Sequence, residues 1–283
     1  LILAAAVLWS LSGLFVKSLQ MPPAAVAMYR TLSAGVVLLL AAALFRSRIT
    51  WSPAMLWMLA AFTVMNYVFV ASMTYTTSAN AIFLQYTAPV WMTLGSVVLL
   101  GESSDRRQWT VLAGSLVGVG VIVVGNLGAG GDHLLGIALG LVSGFMYAGV
   151  ALSLRFLRNH DPLWLAALNH ASAGLVLLGV NASLAWAGAA PWSNFAFPDD
   201  PRQGALLLAF GVVQMGVPYI LFGMGMQRVS PQEAGVLTLV EPVLNPIWTA
   251  LGAREIPSVA TMAGGAILVS MLALRYAPRA RRE

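Results

Sequence analysis

Ser33-Ala34-Gly35-Val36-Val37-Leu38-Leu39 returns 139 residues later as Ser172-Ala173-Gly174-Leu175-Val176-Leu177-Leu178. A second echo follows in the same order. Pro89-Val90 has Glu102 thirteen residues after its proline, and Pro242-Val243 has Glu255 at the same spacing, 153 residues further along. Apolar stretches match by chance, so either block alone decides little. Two blocks in one order at similar offsets mark a duplicated unit.

Working outward, the unit is built from long apolar spans. Hydrophobic residues make up 59% of the 283-residue chain and charged residues 9%, against about 45–50% and 25% in soluble domains. So little charge cannot keep a globular surface in water, and so much apolar content excludes a disordered chain. The absence of cysteine excludes a disulfide scaffold. Ten spans are legible: Leu1–Val16, Ala24–Phe45, Ala54–Met73, Ala79–Leu100 and Trp109–Val124, then Leu134–Leu154, Leu163–Trp186, Gly204–Met226, Ala234–Leu251 and Val259–Leu274. Ten helices of roughly 20 residues consume about 200 residues and leave short connections. Open strands are excluded because lipid cannot satisfy their backbone groups. The chain reads as an all-α integral membrane protein. The first span is apolar from Leu1 with no basic run before it, so it reads as a span and not as a signal peptide.

Basic residues set the expected orientation. With the N-terminus inside, the cytoplasmic segments hold Arg46, Arg48, Arg106, Arg107, Arg155, Arg158, Arg228, Arg275, Arg279, Arg281 and Arg282. Only Lys17, Arg202 and Arg254 fall on the other side, and Arg30 lies within a span. Both termini are therefore expected in the cytoplasm. This placement also accounts for the net charge of +5 without nucleic acid. Five spans per unit is an odd number, so the second unit (134–283) enters the bilayer upside down relative to the first (1–133). Inverted repeats around a midplane site are the architecture of secondary transporters.

The chain resembles the drug/metabolite transporter superfamily with paired EamA-type repeats. The resemblance covers nearly the whole chain. It is carried by Trp9-Ser10 and Lys17, Arg30, Thr77-Ser78-Ala79-Asn80-Ala81, Ala88-Pro89-Val90 with Gly101-Glu102, and Glu241-Pro242-Val243 with Arg254-Glu255. Where family members often place a glycine before the second glutamate, this chain has Arg254. Among relatives the pattern looks most like the YddG-type bacterial exporters of aromatic amino acids. The resemblance implies ten helices around a central cavity, alternating access, and export of small metabolites across the bacterial inner membrane.

Residues at lipid depth supply the candidate site. Pro89 and Pro242 occupy equivalent positions in the two units, with Pro246 near the latter. Each proline lacks an N–H and frees a carbonyl one turn earlier, so these are gate or hinge candidates. Glu241 has Ala88 as its repeat counterpart, so the pair holds no second acid. It reads as a group that binds an ammonium or accepts a proton, or as a packing acid beside the break. Arg30 holds a substrate carboxylate or ties helices together. Lys17 and the loop tryptophans read as interfacial anchors, and Glu255 as a helix cap or a partner of nearby arginines. Candidate lining residues are Asn80, Gln85, Tyr86, Trp91, Tyr147, Trp164, Asn169, His170, Gln214, Tyr219 and Asn245, whose amides and rings suit a flat, partly apolar solute. For each one singly, helix packing competes with that role. Gly114-xxx-Gly118 and Gly136-xxx-Gly140-xxx-Gly144 let helices approach closely.

No P-loop, HExxH or GxSxG occurs. His133 and His160 fall in predicted loops, and no metal-ligand spacing appears. The expectation is a transporter without cofactor, metal or covalent chemistry. It exports amino acids or similar metabolites as a monomer or weak dimer, with proton coupling open. A multidrug or nucleotide-sugar carrier of the same fold is the alternative, and a membrane sensor or intramembrane enzyme a more distant one.

Overall fold

The structure, a computed structural model, describes residues 1–101 and 105–277. Among them there is no strand. In chain order the helices are α1 (Ile2–Trp9), α2 (Ser12–Ser18), α3 (Pro23–Leu44), α4 (Ala54–Tyr75), α5 (Ser78–Gln85), α6 (Ala88–Leu100) and α7 (Arg106–Gly125). They continue as α8 (Gly131–Phe156), α9 (Pro162–Trp186), α10 (Pro201–Ala209), α11 (Val217–Met226), α12 (Pro231–Thr238), α13 (Val240–Ala253) and α14 (Val259–Tyr276). A π-helical segment, Phe210–Gly216, joins α10 to α11. Nine helical stretches among the described residues are long and apolar enough to cross a bilayer, and Ile2–Ser18 is a shorter tenth.

Local chemistry explains where the helices begin. Thr77, Asp105, Asp161, Asp200, Ser230 and Ser258 each cap a helix by accepting a hydrogen bond from a first-turn N–H. Asp105 with Gln108, and Ser230 with Glu233, form reciprocal capping boxes. Prolines sit in the first turns of α3, α9 and α10, where their missing N–H costs nothing.

The boundaries themselves repeat. The caps Thr77 and Ser230, the left-handed residues Gly101 and Arg254, and the caps Asp105 and Ser258 are each separated by 153 positions. Corresponding helices also pack together: α3 lies against α9, and α7 against α14. Gly118 and Gly264 meet across the second pair, where a side chain on either would strike the other's carbonyl. Gly136 packs against the Thr76 backbone, and Gly140 against Ser72 and Leu84. The glycine rows thus serve contacts inside the bundle.

Three expectations change at this level. The first span is two helices with a break at Ser10-Leu11. The sixth begins at Gly131, which puts His133 in a helical first turn and not in a loop. In the eighth, the π segment places Gly211 against Ser33 and the Arg30 carbonyl, too close for any side chain. Glu102 and the tail arginines 279, 281 and 282 lie outside the described residues.

Candidate functional site

Three polar groups divide the interior. At one end, α2, α5, α8, α13 and α14 converge on Lys17. Its Nζ lies 2.7 Å from Glu255 Oε2 and donates to the Thr76 carbonyl at 2.8 Å. Glu255 Oε1 also accepts from the Ser78 N–H at 2.7 Å and the Ser78 hydroxyl at 2.8 Å. Glu255 therefore caps α5, a helix of the other half of the chain, and Lys17 is half of an ion pair and not only an interfacial anchor. Asn80 belongs here too. Its amide contacts Thr76 and His133 and accepts from the Thr261 hydroxyl at 2.8 Å. Asn126 extends the network to Thr261.

About 15 Å deeper along α4, from Thr76 to Asn66 at 1.5 Å per residue, lies a second group with a different character. Arg30 is 2% exposed. One guanidinium nitrogen donates to Asn66 Oδ1 at 2.7 Å, and its carbon sits 4.8 Å from the Phe210 ring centroid and 6.0 Å from that of Phe69. Its Nε and Nη1 have no partner. No carboxylate pairs with it among the described residues. His170 is fully buried; its Nδ1 meets the Ala166 carbonyl at 2.8 Å, so that nitrogen carries the hydrogen. In neutral imidazole Nε2 is then an acceptor, and it too has no partner. His170 lies within electrostatic range of Arg30.

Aromatic rings tie the group together. Tyr219 contacts His170 at 4.6 Å and Trp9 at 5.2 Å, edge to face, and Phe62 covers the other side of His170 at 4.8 Å. Gln214, carried by the π segment, donates to the Trp9 carbonyl at 2.8 Å while its Oε1 stays unpartnered. Asn169 Oδ1 and Asn66 Nδ2 are likewise buried and unpartnered. Buried polar atoms are normally hydrogen-bonded, and most of the exceptions among the described residues fall in or beside this group, the others being Ser115 Oγ and Asn245 Oδ1.

The third group lies at the helix breaks. Span four stops at Tyr86-Thr87 between α5 and α6, with Pro89 in the first turn of α6. Span nine is interrupted at Leu239 between α12 and α13, with Pro242 just beyond and Pro246 inside α13. The Tyr86 hydroxyl contacts Glu241 Oε2 at 2.8 Å and the Thr238 carbonyl at 3.1 Å. Thr238 is the residue whose helical donor Pro242 cannot supply. Tyr147 is 44% exposed and lies within electrostatic range of Tyr219 and Glu241. Arg275 donates to the Pro89 carbonyl at 3.1 Å.

The remaining candidates are scattered. Asn245 grips the break in the first span, donating to the Ser10 carbonyl at 3.0 Å and Ser12 at 3.1 Å. Gln85 is buried at the end of α5. Trp91 bonds Thr87 and packs on Phe145. Trp164 donates to the Thr50 carbonyl at 2.9 Å in the loop before α4, away from the central group. Phe62, Phe69 and Phe210 are not candidates from sequence, because single apolar residues in apolar helices carry no signal of their own; Trp9 enters the sequence reading only through the family resemblance.

The sequence pattern of the EamA-like transporter family matches residues 1–124 and again 134–276. The chain belongs to the EamA-like transporter family. EamA-like proteins have a two-repeat architecture, which fits the matched boundaries described above. An uncharacterized transporter from Archaeoglobus fulgidus is 27% identical over 209 residues, 74% of this chain and 70% of that one. The pseudopaline exporter CntI of Pseudomonas aeruginosa is 26% identical over 192 residues, 68% of this chain and 63% of the exporter. A solved crystal structure with 19% identity superposes with a TM-score of 0.66, covering 95% of this chain and 94% of that one, which speaks for the fold alone. This EamA-like chain is thus a multi-pass membrane transporter and not an enzyme.

Proposed function

We propose that the chain is a secondary transporter that exports amino acids, aromatic ones among them, or similar small zwitterionic metabolites by alternating access. On this reading it lies in a bacterial inner membrane with both termini cytoplasmic. Residues 1–133 and 134–283 form inverted units that rock about the Arg30 group. One observation carries the proposal: the central group leaves both kinds of polar atom unpaired. Arg30 Nε, Arg30 Nη1 and Asn66 Nδ2 are free donors, while His170 Nε2, Asn169 Oδ1 and Gln214 Oε1 are free acceptors. A carboxylate takes up donors and an ammonium takes up acceptors, so a zwitterion satisfies both sets at once. Guanidinium suits a carboxylate because its fork of N–H groups can grip both oxygens. The rings of Trp9, Phe62, Phe69, Phe210 and Tyr219 offer a wall for a flat apolar side chain. The family membership and the exporter among the relatives support outward movement of a small solute.

The test is flux in proteoliposomes loaded with labelled phenylalanine, tryptophan, threonine or a cationic dye. The proposal expects protein-dependent amino-acid exchange that excess unlabelled amino acid abolishes. Dye flux alone would move the chain to the multidrug reading.

A further inference from the structure

The Tyr86–Glu241 contact contains a count of protons that the transport reading leaves unused. One phenolic hydrogen faces two acceptors: the Glu241 carboxyl at 2.8 Å and the Thr238 carbonyl at 3.1 Å. A hydroxyl has one hydrogen to give and two lone pairs to receive with. With Glu241 ionised, the hydrogen turns to Oε2, and the Thr238 carbonyl, already without its helical donor because residue 242 is proline, loses its substitute. With a proton on Oε2, the direction of the chain reverses. The acid donates to the Tyr86 oxygen, and the Tyr86 hydrogen turns to Thr238. Every member is then paired.

We propose that Glu241 is the proton-binding site of this transporter, and that its protonation clasps the break of span four, through Tyr86, to the backbone break of span nine. The inference rests on the transport reading and adds the coupled ligand, a proton, to it. The added proton resides on Glu241 and leaves by the same oxygen; no other bond is made or broken. Because Tyr86 belongs to the first repeat match and Thr238 to the second, the clasp joins the two halves whose relative motion would carry substrate. The site is only partly buried, so a proton can reach it.

Tyr147 on α8 and Tyr219 on α11 lie within electrostatic range of Glu241, and Tyr276 on α14 within range of Tyr86. Arg275, also on α14, is engaged with the Pro89 carbonyl at 3.1 Å and Thr93 at 2.8 Å. No Lys, Arg or His bonds to Glu241 among the described residues.

The experiment pairs flux with spectroscopy on the full-length protein. In proteoliposomes, labelled phenylalanine flux is compared with and without an imposed pH gradient for wild type, Glu241→Gln and Tyr86→Phe. Wild-type flux is expected to respond at least tenfold, and the Gln variant to give equal flux in both conditions. A wild type that exchanges phenylalanine but ignores the gradient would overturn the inference and leave the transport reading standing. A wild type that moves none of the amino acids or the dye would overturn the transport reading instead. Infrared difference spectra of wild type between acid and alkaline buffer are read alongside. They should show a protonated carboxyl stretch that is absent in Glu241→Gln and shifted in Tyr86→Phe. An unchanged band in the Gln variant would overturn the assignment even if that variant carried no flux.

Discussion

The Lys17 end and the Arg30 group are both rich in polar side chains at membrane depth, and they are put together on opposite principles. At the Lys17 end each charge meets its opposite and each amide finds a partner. Lys17 pairs with Glu255, Glu255 closes the N-terminus of α5, and Asn80 has Thr76, His133 and Thr261 around it. In the Arg30 group a guanidinium is buried with no acid paired to it among the described residues, and a histidine, three amides and the guanidinium itself keep atoms in reserve. A satisfied network stabilises one arrangement of the helices. An unsatisfied one is costly until something arrives to complete it. On the proposed reading the first is a closure and the second a binding place.

Substitutions can sharpen or break that contrast. The largest effect is expected from Arg30→Met, measured as amino-acid exchange in proteoliposomes beside thermal unfolding in detergent. Exchange should fall about 100-fold, equivalent to about 2.7 kcal/mol of lost substrate stabilisation. Thermal stability should hold or rise, because the arginine is an uncompensated charge in the free protein. A fall in stability would mean that Arg30 is a structural tie and would erase the contrast.

At the other end the signs reverse. Glu255→Ala leaves Lys17 and the Ser78 N–H without their partner, and is expected to destabilise the protein by about 2 kcal/mol. This lies below the range for fully buried pairs because both partners keep some solvent contact. The double variant Lys17→Met/Glu255→Met should recover part of that loss, which a double-mutant cycle on unfolding midpoints would read. Additive losses would show that the pair is not coupled.

Much of the scaffold behind this comparison could be read in the sequence, because bilayer helices announce themselves by length and hydropathy. The ten spans and the paired prolines follow from that one-dimensional signal, and the 153-residue offset seen in Pro89/Pro242 recurs in helix caps that no composition rule selects. What stayed hidden depends on contacts between distant residues. Lys17 looks like an interfacial anchor until the fold brings Glu255 beside it. The π segment in span eight brings Gly211 close against Ser33, which hydropathy does not encode. Asn80 and His170 look alike as polar residues in apolar spans, yet one is fully engaged and the other holds a free nitrogen. Burial and partner counts separate them; residue type does not.

One departure from the family pattern has a structural consequence small enough to serve as a control. Arg254 closes α13 with φ 57°, and its repeat counterpart Gly101 closes α6 with φ 63°. A left-handed conformation is free for glycine and costs other L-residues roughly 1 kcal/mol. Arg254→Gly is therefore expected to stabilise the protein by about 0.5–1 kcal/mol, less whatever flexibility glycine adds to the unfolded chain. Exchange should be unchanged. Unfolding midpoints and flux on the same preparation check both halves of that expectation.

The most direct test of the central claim asks whether the Arg30 group reads a carboxylate. Labelled phenylalanine exchange by the wild-type protein would be competed with unlabelled phenylalanine and with phenylalaninamide, which keeps the ring and the ammonium and loses only the carboxylate. The account predicts that the amide competes at least about 100-fold more weakly, and that Arg30→Met removes this discrimination in whatever exchange it retains. Equal competition by acid and amide in the wild type would contradict it.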